Sequence, residues 1–94
     1  MSQDHVVTTD REPLVQKRLG KVWGERIRER RVLLGLTQRQ LGELAEMTQQ
    51  AIGQFETGER VPLARTQVAL ARALGSSPGE LFPWPPMDEL DAAS

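Results

Sequence analysis

The chain has 94 residues, a net charge of −1, no cysteine and a single histidine, His5. That suits one small domain and excludes disulfides, thiolate metal sites and a metal centre built on the one imidazole, so no metal and no cofactor is expected. No apolar run approaches the roughly 20 residues of a membrane span and no signal-peptide pattern opens the chain, which predicts a soluble cytoplasmic protein that does not engage a membrane. The near-neutral total hides an asymmetry. Residues 17–39 hold eight Lys/Arg against Glu25 and Glu29, a net of +6, whereas the last sixteen residues hold Glu80, Asp88, Glu89 and Asp91 and no base. Local fields govern association more than the total does, so a polyanion partner is allowed, although a solvated helix face has the same composition.

Residues 1–12 are polar and unpatterned, which predicts a disordered arm. Val15, Leu19, Val22, Trp23, Ile27 and Leu34 then recur at three- and four-residue steps, the period of an amphipathic helix. Pro13 fits a first helical position. Gly20 and Gly24 weaken the first half, so the helix is secure over 21–34, and Gly35 ends it. Val15 and Leu19 favour an extension of this helix toward the N-terminus, and Gly20 favours a mobile arm.

Thr37 and Gln40 read as the capping box of a second helix, with Leu41, Leu44 and Ala45 on its apolar stripe. Thr48 reads as the cap of a third, with Ile52 and Phe55 facing inward and Gly58 at its end. Only two or three residues separate helices two and three, so they meet at a sharp angle. A fourth helix is predicted over 63–74, with Val68, Ala69, Ala71 and Leu74 available to the core. A short fifth follows, with Ser77 as cap, Pro78 at its first position and Glu80 closing a second capping box. Residues 83–94 read as an acidic tail containing Pro and Trp84. The expected fold is all-α, a five-helix helix-turn-helix domain over 13–82.

The stretches "GLTQRQLGELAE", "TQQAIGQFETGER" with a proline two residues on, and "LARALGSSPGEL" resemble the Cro/C1-type helix-turn-helix family of phage and bacterial regulators. The third helix is similar to the recognition helix of the phage 434 repressor. The resemblance implies a lambda-repressor-like fold that binds double-stranded DNA as a homodimer on an inverted repeat, with helix 48–56 in the major groove. It implies base contacts from Thr48, Gln49, Gln50 and Gln54, with an A-rich half-site beginning ACA. It also implies backbone contacts from Gln38, Arg39, Thr57 and Arg60, and a structural ion pair between Arg31 and Glu56. By the same resemblance, dimer contacts fall on Arg60 to Leu63 and on Leu81 to Trp84.

The chain departs from the family pattern at Glu46, where the turn usually has glycine, and at Gly53, where the family has a larger residue. Arg26, Arg28 and Arg30 wind around helix one and cannot all face DNA; those that do not are expected to be weak surface ion-pair partners. Trp23 is expected at the core edge. Trp84 reads either as packing back on helix five or as a docking segment.

The functional expectation is a transcriptional regulator, in the first place a repressor, that joins the nucleoid when DNA-bound. The alternative is a protein-binding adaptor or antitoxin that uses the acidic tail or the N-terminal extension as its contact. No nucleophile–base pair and no glycine-rich phosphate loop is present, so the sequence does not read as an enzyme.

Overall fold

A computed structural model describes the backbone of residues 4–84 and the side chains from Val15 onward. Five helices follow in order: α1 (Asp4–Leu33), α2 (Gln38–Ala45), α3 (Gln49–Thr57), α4 (Ala64–Ala73) and α5 (Pro78–Leu81). No strand occurs among the described residues.

One helix row of α1, Leu19, Trp23 and Ile27, is buried at four-residue spacing and forms the spine of the core. Against it pack Leu41 and Ala45 from α2, Ile52 and Phe55 from α3, Leu70, Ala71 and Leu74 from α4, and Leu81 and Phe82 from the α5 end. Ile27, Leu41, Ile52, Leu70 and Leu74 have no exposed surface. Each such side chain contributes about 1.5–3 kcal/mol by leaving water.

The helix starts follow the caps. Thr37 Oγ1 accepts from Gln40 N at 3.0 Å, and Gln40 Oε1 accepts from Thr37 N at 2.8 Å, a complete capping box. Thr48 Oγ1 accepts from Ala51 N at 3.1 Å. Ser77 Oγ accepts from Glu80 N at 3.2 Å. The second capping box is only half formed, because the Glu80 carboxylate accepts from Ser76 Oγ at 3.2 Å and does not reach back to Ser77. Ser76 supplies a neutral donor one residue earlier, so the carboxylate is satisfied without closing the box.

Several expectations change. Helix α1 begins at Asp4 instead of near Pro13, so residues 4–12 are helical and do not form an unpatterned arm, and Pro13 lies inside the helix. Once a helix is nucleated, each further residue adds a hydrogen bond, and extension needs no apolar stripe. The proline removes one ladder hydrogen bond there.

Gly20 and Gly24 are not weak points. A Cβ on Gly24 would stand 2.5 Å from the carbonyl oxygens of both Phe55 and Glu56, and one on Gly20 would stand 2.9 Å from that of Gly58. Glycine at both positions is what lets α1 lie directly on the backbone at the end of α3. In α4 the buried row is Leu70, Ala71 and Leu74, while Val68 is exposed. At 100° per residue, Val68 sits about 200° from Leu70 and must face away once Leu70 faces in.

Arg26 and Arg30 are not surface ion-pair partners either. Arg26 donates from Nη2 and Nε to the Glu80 carbonyl at 2.9 and 3.3 Å. Arg30 donates from Nε to Leu74 O at 3.0 Å and from Nη2 to Gly75 O at 3.2 Å. These carbonyls belong to the ends of α4 and α5, where no helical partner remains.

Trp23 is buried, meets Phe82 edge-on at 5.3 Å between centroids, and donates Nε1–H to Pro83 O at 2.9 Å. The indole therefore ties the chain after α5 back to α1. The remainder of the expected tail, residues 85–94, lies outside the described residues, as do residues 1–3.

Candidate nucleic-acid interface

The sharp connection from α2 to α3 fixes the geometry of the site. Glu46 ends α2 in the left-handed region at φ 59°, where glycine is usual, and Met47 N returns to Gly42 O at 2.7 Å. A Cβ on Gly42 would stand 2.6 Å from Met47 O, so this glycine is what lets the turn fold onto α2. Ile52 and Phe55 bury one side of α3. Its opposite side, with Thr48, Gln49, Gln50, Gly53, Gln54 and Thr57, turns outward: Thr48, Gln49, Gln50 and Thr57 are exposed, and Gly53 and Gln54 are half-buried. Two glutamines at the helix start and one a turn later therefore stand free of the core on a helix whose orientation the core fixes.

The orientation is also fixed by charge. Glu56 is the buried charged residue of the core, with its side chain 4% exposed, and Arg31 beside it is 13% exposed. Arg31 donates from Nε to Glu56 Oε2 at 2.5 Å, from Nη2 to Oε1 at 3.0 Å, and from Nη1 to Leu36 O at 2.8 Å. The hydrogen bond to Glu56 holds the Arg31 guanidinium above its ordinary pKa, against a smaller lowering by burial. The pair therefore stays charged on the arginine side at every pH the fold meets. Such a forked pair adds little net stability over apolar residues of the same volume, but its direction locks α3 to α1.

Gln38 belongs to the same network. Its amide donates from Nε2 to Glu56 Oε1 at 3.1 Å. A Cβ on Gly53 would meet the Gln38 amide only at 3.7–3.8 Å. Gln38 thus lies half-buried across the start of α2 and the middle of α3, with its second amide N–H and its Oε1 remaining. Arg39 is loosely held, facing Glu43 at 3.6 Å with both side chains mostly exposed. That exposure makes the pair weak and leaves the guanidinium free to engage another anion.

At the other end of α3, Thr57 Oγ1 donates to Gln54 O at 3.2 Å, and Arg60 N donates to the same carbonyl at 3.1 Å. The loop after the Gly58 cap carries the Arg60 guanidinium back over the Phe55 ring, 5.0 Å from its centroid, with Nη1 3.5 Å from Gln54 Oε1. This contact is not readable from the sequence, since the six-residue separation matches no helical spacing. Its only signal is a left-handed cap that turns the chain back on the helix it has just left.

Of the segments that the resemblance assigns to a dimer contact, Leu81 and Phe82 are part of the core, whereas Leu63 is 77% and Trp84 64% exposed. Among the described residues no group of three or more His, Cys, Asp or Glu is placed to hold a metal ion. No described helix is long and apolar enough to cross a membrane.

Comparison with known proteins agrees with this geometry. A helix-turn-helix family model matches residues 27–81. A comparison with curated protein sequences finds no significant match. Among solved structures, the restriction-modification controller protein C.AhdI from Aeromonas hydrophila is 35% identical, with a TM-score of 0.65 over 67% of this chain and 96% of that one. The P22 c2 repressor in complex with a synthetic operator is 39% identical, with a TM-score of 0.63 over 66% of this chain and 94% of that one. The clp gene regulator ClgR from Corynebacterium glutamicum, at 21% identity, TM-score 0.65, and 80% and 74% coverage, shares the fold. With helices α1 to α5 arranged as in these domains, the chain belongs to the Cro/C1-type helix-turn-helix family of DNA-binding transcriptional regulators.

Proposed function

We propose that this protein is a cytoplasmic, sequence-specific regulator of transcription. It binds an inverted repeat in double-stranded DNA as a homodimer, laying α3 in the major groove and acting as a repressor by occluding a promoter. The observation that carries this reading is the outward row of Gln49, Gln50 and Gln54 on a helix held rigidly from behind by the Arg31–Glu56 pair. Glutamine has a donor and an acceptor on one planar group and can grip an adenine edge with both. On an ordinary helix such a row is only a solvated face. Here the helix follows a tight turn, in the geometry that places a second helix in the groove.

In this reading Thr48, Gln49, Gln50 and Gln54 meet base edges. Thr48 uses its oxygen as the α3 cap and stands exposed at the helix start. Gln38, Arg39, Thr57 and Arg60 flank the row and engage phosphates, which set the register without reading sequence. Gln38 does so from the start of α2, where backbone N–H groups and the helix dipole favour an anion. Two-fold symmetry of the protein is matched by two half-sites about one helical turn apart. Of the expected dimer-contact residues, Leu63 and Trp84 are the large apolar ones that stand exposed.

A second reading, a protein-binding adaptor or antitoxin, has one observation in its favour. Trp84, expected either to pack on α5 or to dock a partner, is 64% exposed. Selection of bound duplexes from a random library at one stated moderate salt concentration separates the two. The regulator enriches an inverted repeat with ACA-like arms. Weak, salt-sensitive binding with no enriched motif would leave only phosphate attraction and favour the adaptor.

A further inference from the structure

We infer that Arg60 is a specificity-determining positioning residue that acts through Gln54, fixing which end of that amide faces the DNA. The inference rests on the groove-reading role proposed for α3.

Arg60 is not an unattached surface cation. Its backbone N–H is bonded to Gln54 O, and its guanidinium lies over the Phe55 ring at 5.0 Å from the centroid, an arrangement favoured by the ring's electron-rich face. In that position Nη1 stands 3.5 Å from the Gln54 amide oxygen. A guanidinium has five donors and no acceptor, so only the oxygen end of a neighbouring amide can face it. With Oε1 turned to Arg60, Gln54 has its NH2 group to offer elsewhere.

Turned this way, Gln54 offers its donors to the DNA and reads acceptors. Guanine presents two side by side in the major groove, N7 and O6, whereas adenine sets its N7 acceptor beside the N6 donor. Gripping adenine with both ends needs the amide oxygen turned to N6, so an oxygen held at Arg60 favours guanine over adenine. Among the described residues no arginine is placed on the amides of Gln49 and Gln50 in this way, and both halves of each remain available. The three glutamines therefore read by different rules although they are chemically identical. Arg60 also has N–H groups to spare for a phosphate, so it is able to serve both roles at once.

The test compares base preferences of the intact protein and its variants on the same random-duplex library. Gln54→Ala first identifies the base pair that Gln54 reads, as the position whose preference is lost. The native protein is expected to prefer a G·C pair at that position, and a native preference for A·T there would overturn the inference. Arg60→Ala frees the amide oxygen, so preference at that position alone relaxes by about tenfold toward an A·T pair. Arg60→Lys, also a donor-only cation, retains the native preference. Circular dichroism should show unchanged helicity in both Arg60 variants, because Arg60 is exposed. Uniformly weaker binding of Arg60→Ala to every sequence, with preference unchanged, would overturn the inference and leave Arg60 as a phosphate contact. Failure of the native protein to enrich any motif would overturn the groove-reading proposal itself.

Discussion

Near the end of α1, Arg31 grips a carboxylate, Glu56; on another side of the same helix, Arg26 and Arg30 grip the backbone carbonyls of Glu80, Leu74 and Gly75. The first arrangement positions α3 and the proposed reading face, and the second fastens α4 and α5. They differ in what breaking them leaves behind. Removing Glu56 strands a charge whose side chain is 13% exposed. Removing Arg30 leaves carbonyls at helix ends, which water can reach. The site end is therefore more exacting in sequence, because both members of its clamp are side chains and each needs the other.

The largest effect that sharpens this comparison is expected from Glu56→Ala. Denaturant unfolding should show a loss of about 3–5 kcal/mol, the cost of leaving a buried partner unpaired. Replacing both members, as in Arg31→Met with Glu56→Leu, should recover most of that stability. DNA binding should stay impaired in the double variant, because Gln38 loses the oxygen that holds it.

Next in size is Gly24→Ala. Alanine favours a helix by up to about 1 kcal/mol, but its Cβ would meet two α3 carbonyl oxygens at 2.5 Å, so a net loss of about 2 kcal/mol is expected in thermal unfolding. Arg30→Ala should cost about 1 kcal/mol, a discounted value for two charge-assisted bonds of which one is solvent-exposed. It should leave DNA affinity nearly unchanged, in contrast to any loss at Arg31.

The smallest effect has the opposite sign. Gly53→Ala meets only the Gln38 amide, at ordinary contact distance, and should stabilise α3 by about 0.8–1 kcal/mol. If Gly53 serves close approach to the DNA backbone, the same variant binds DNA more weakly while melting at a higher temperature.

The pattern of these effects follows what was legible in the sequence. Capping by Thr37, Gln40 and Thr48 was readable because a cap is a local chemical need met within three residues. The helix periods of α1 to α3 were readable for the same reason. The Arg31–Glu56 pair was accessible only through the family resemblance, since twenty-five residues separate its members. The clamps of Arg26 and Arg30 could not be read at all, because their partners are backbone carbonyls and every residue has one. Helix propensity alone makes Gly20 and Gly24 weak points, because it weighs the helix's own backbone and not the helix that crosses it. The pattern leaves Val68 available to the core because α4 has apolar residues on more than one side, and only packing against its neighbours chooses among them. At the site, the outward glutamines were visible as a row, but the attachment of Arg60 to one of them depends on the left-handed Gly58 cap and the path of the loop beyond it.

The most direct measurement is a binding titration of the native protein and the Gln49→Ala, Gln54→Ala double variant. Each is titrated against the selected duplex and a scrambled duplex of equal length, at one salt concentration. If α3 reads the groove, the double variant retains native helicity and nonspecific affinity but loses at least about a hundredfold in preference for the selected duplex. A double variant that still discriminates the two duplexes as the native protein does would contradict the assignment of α3 as the reading helix.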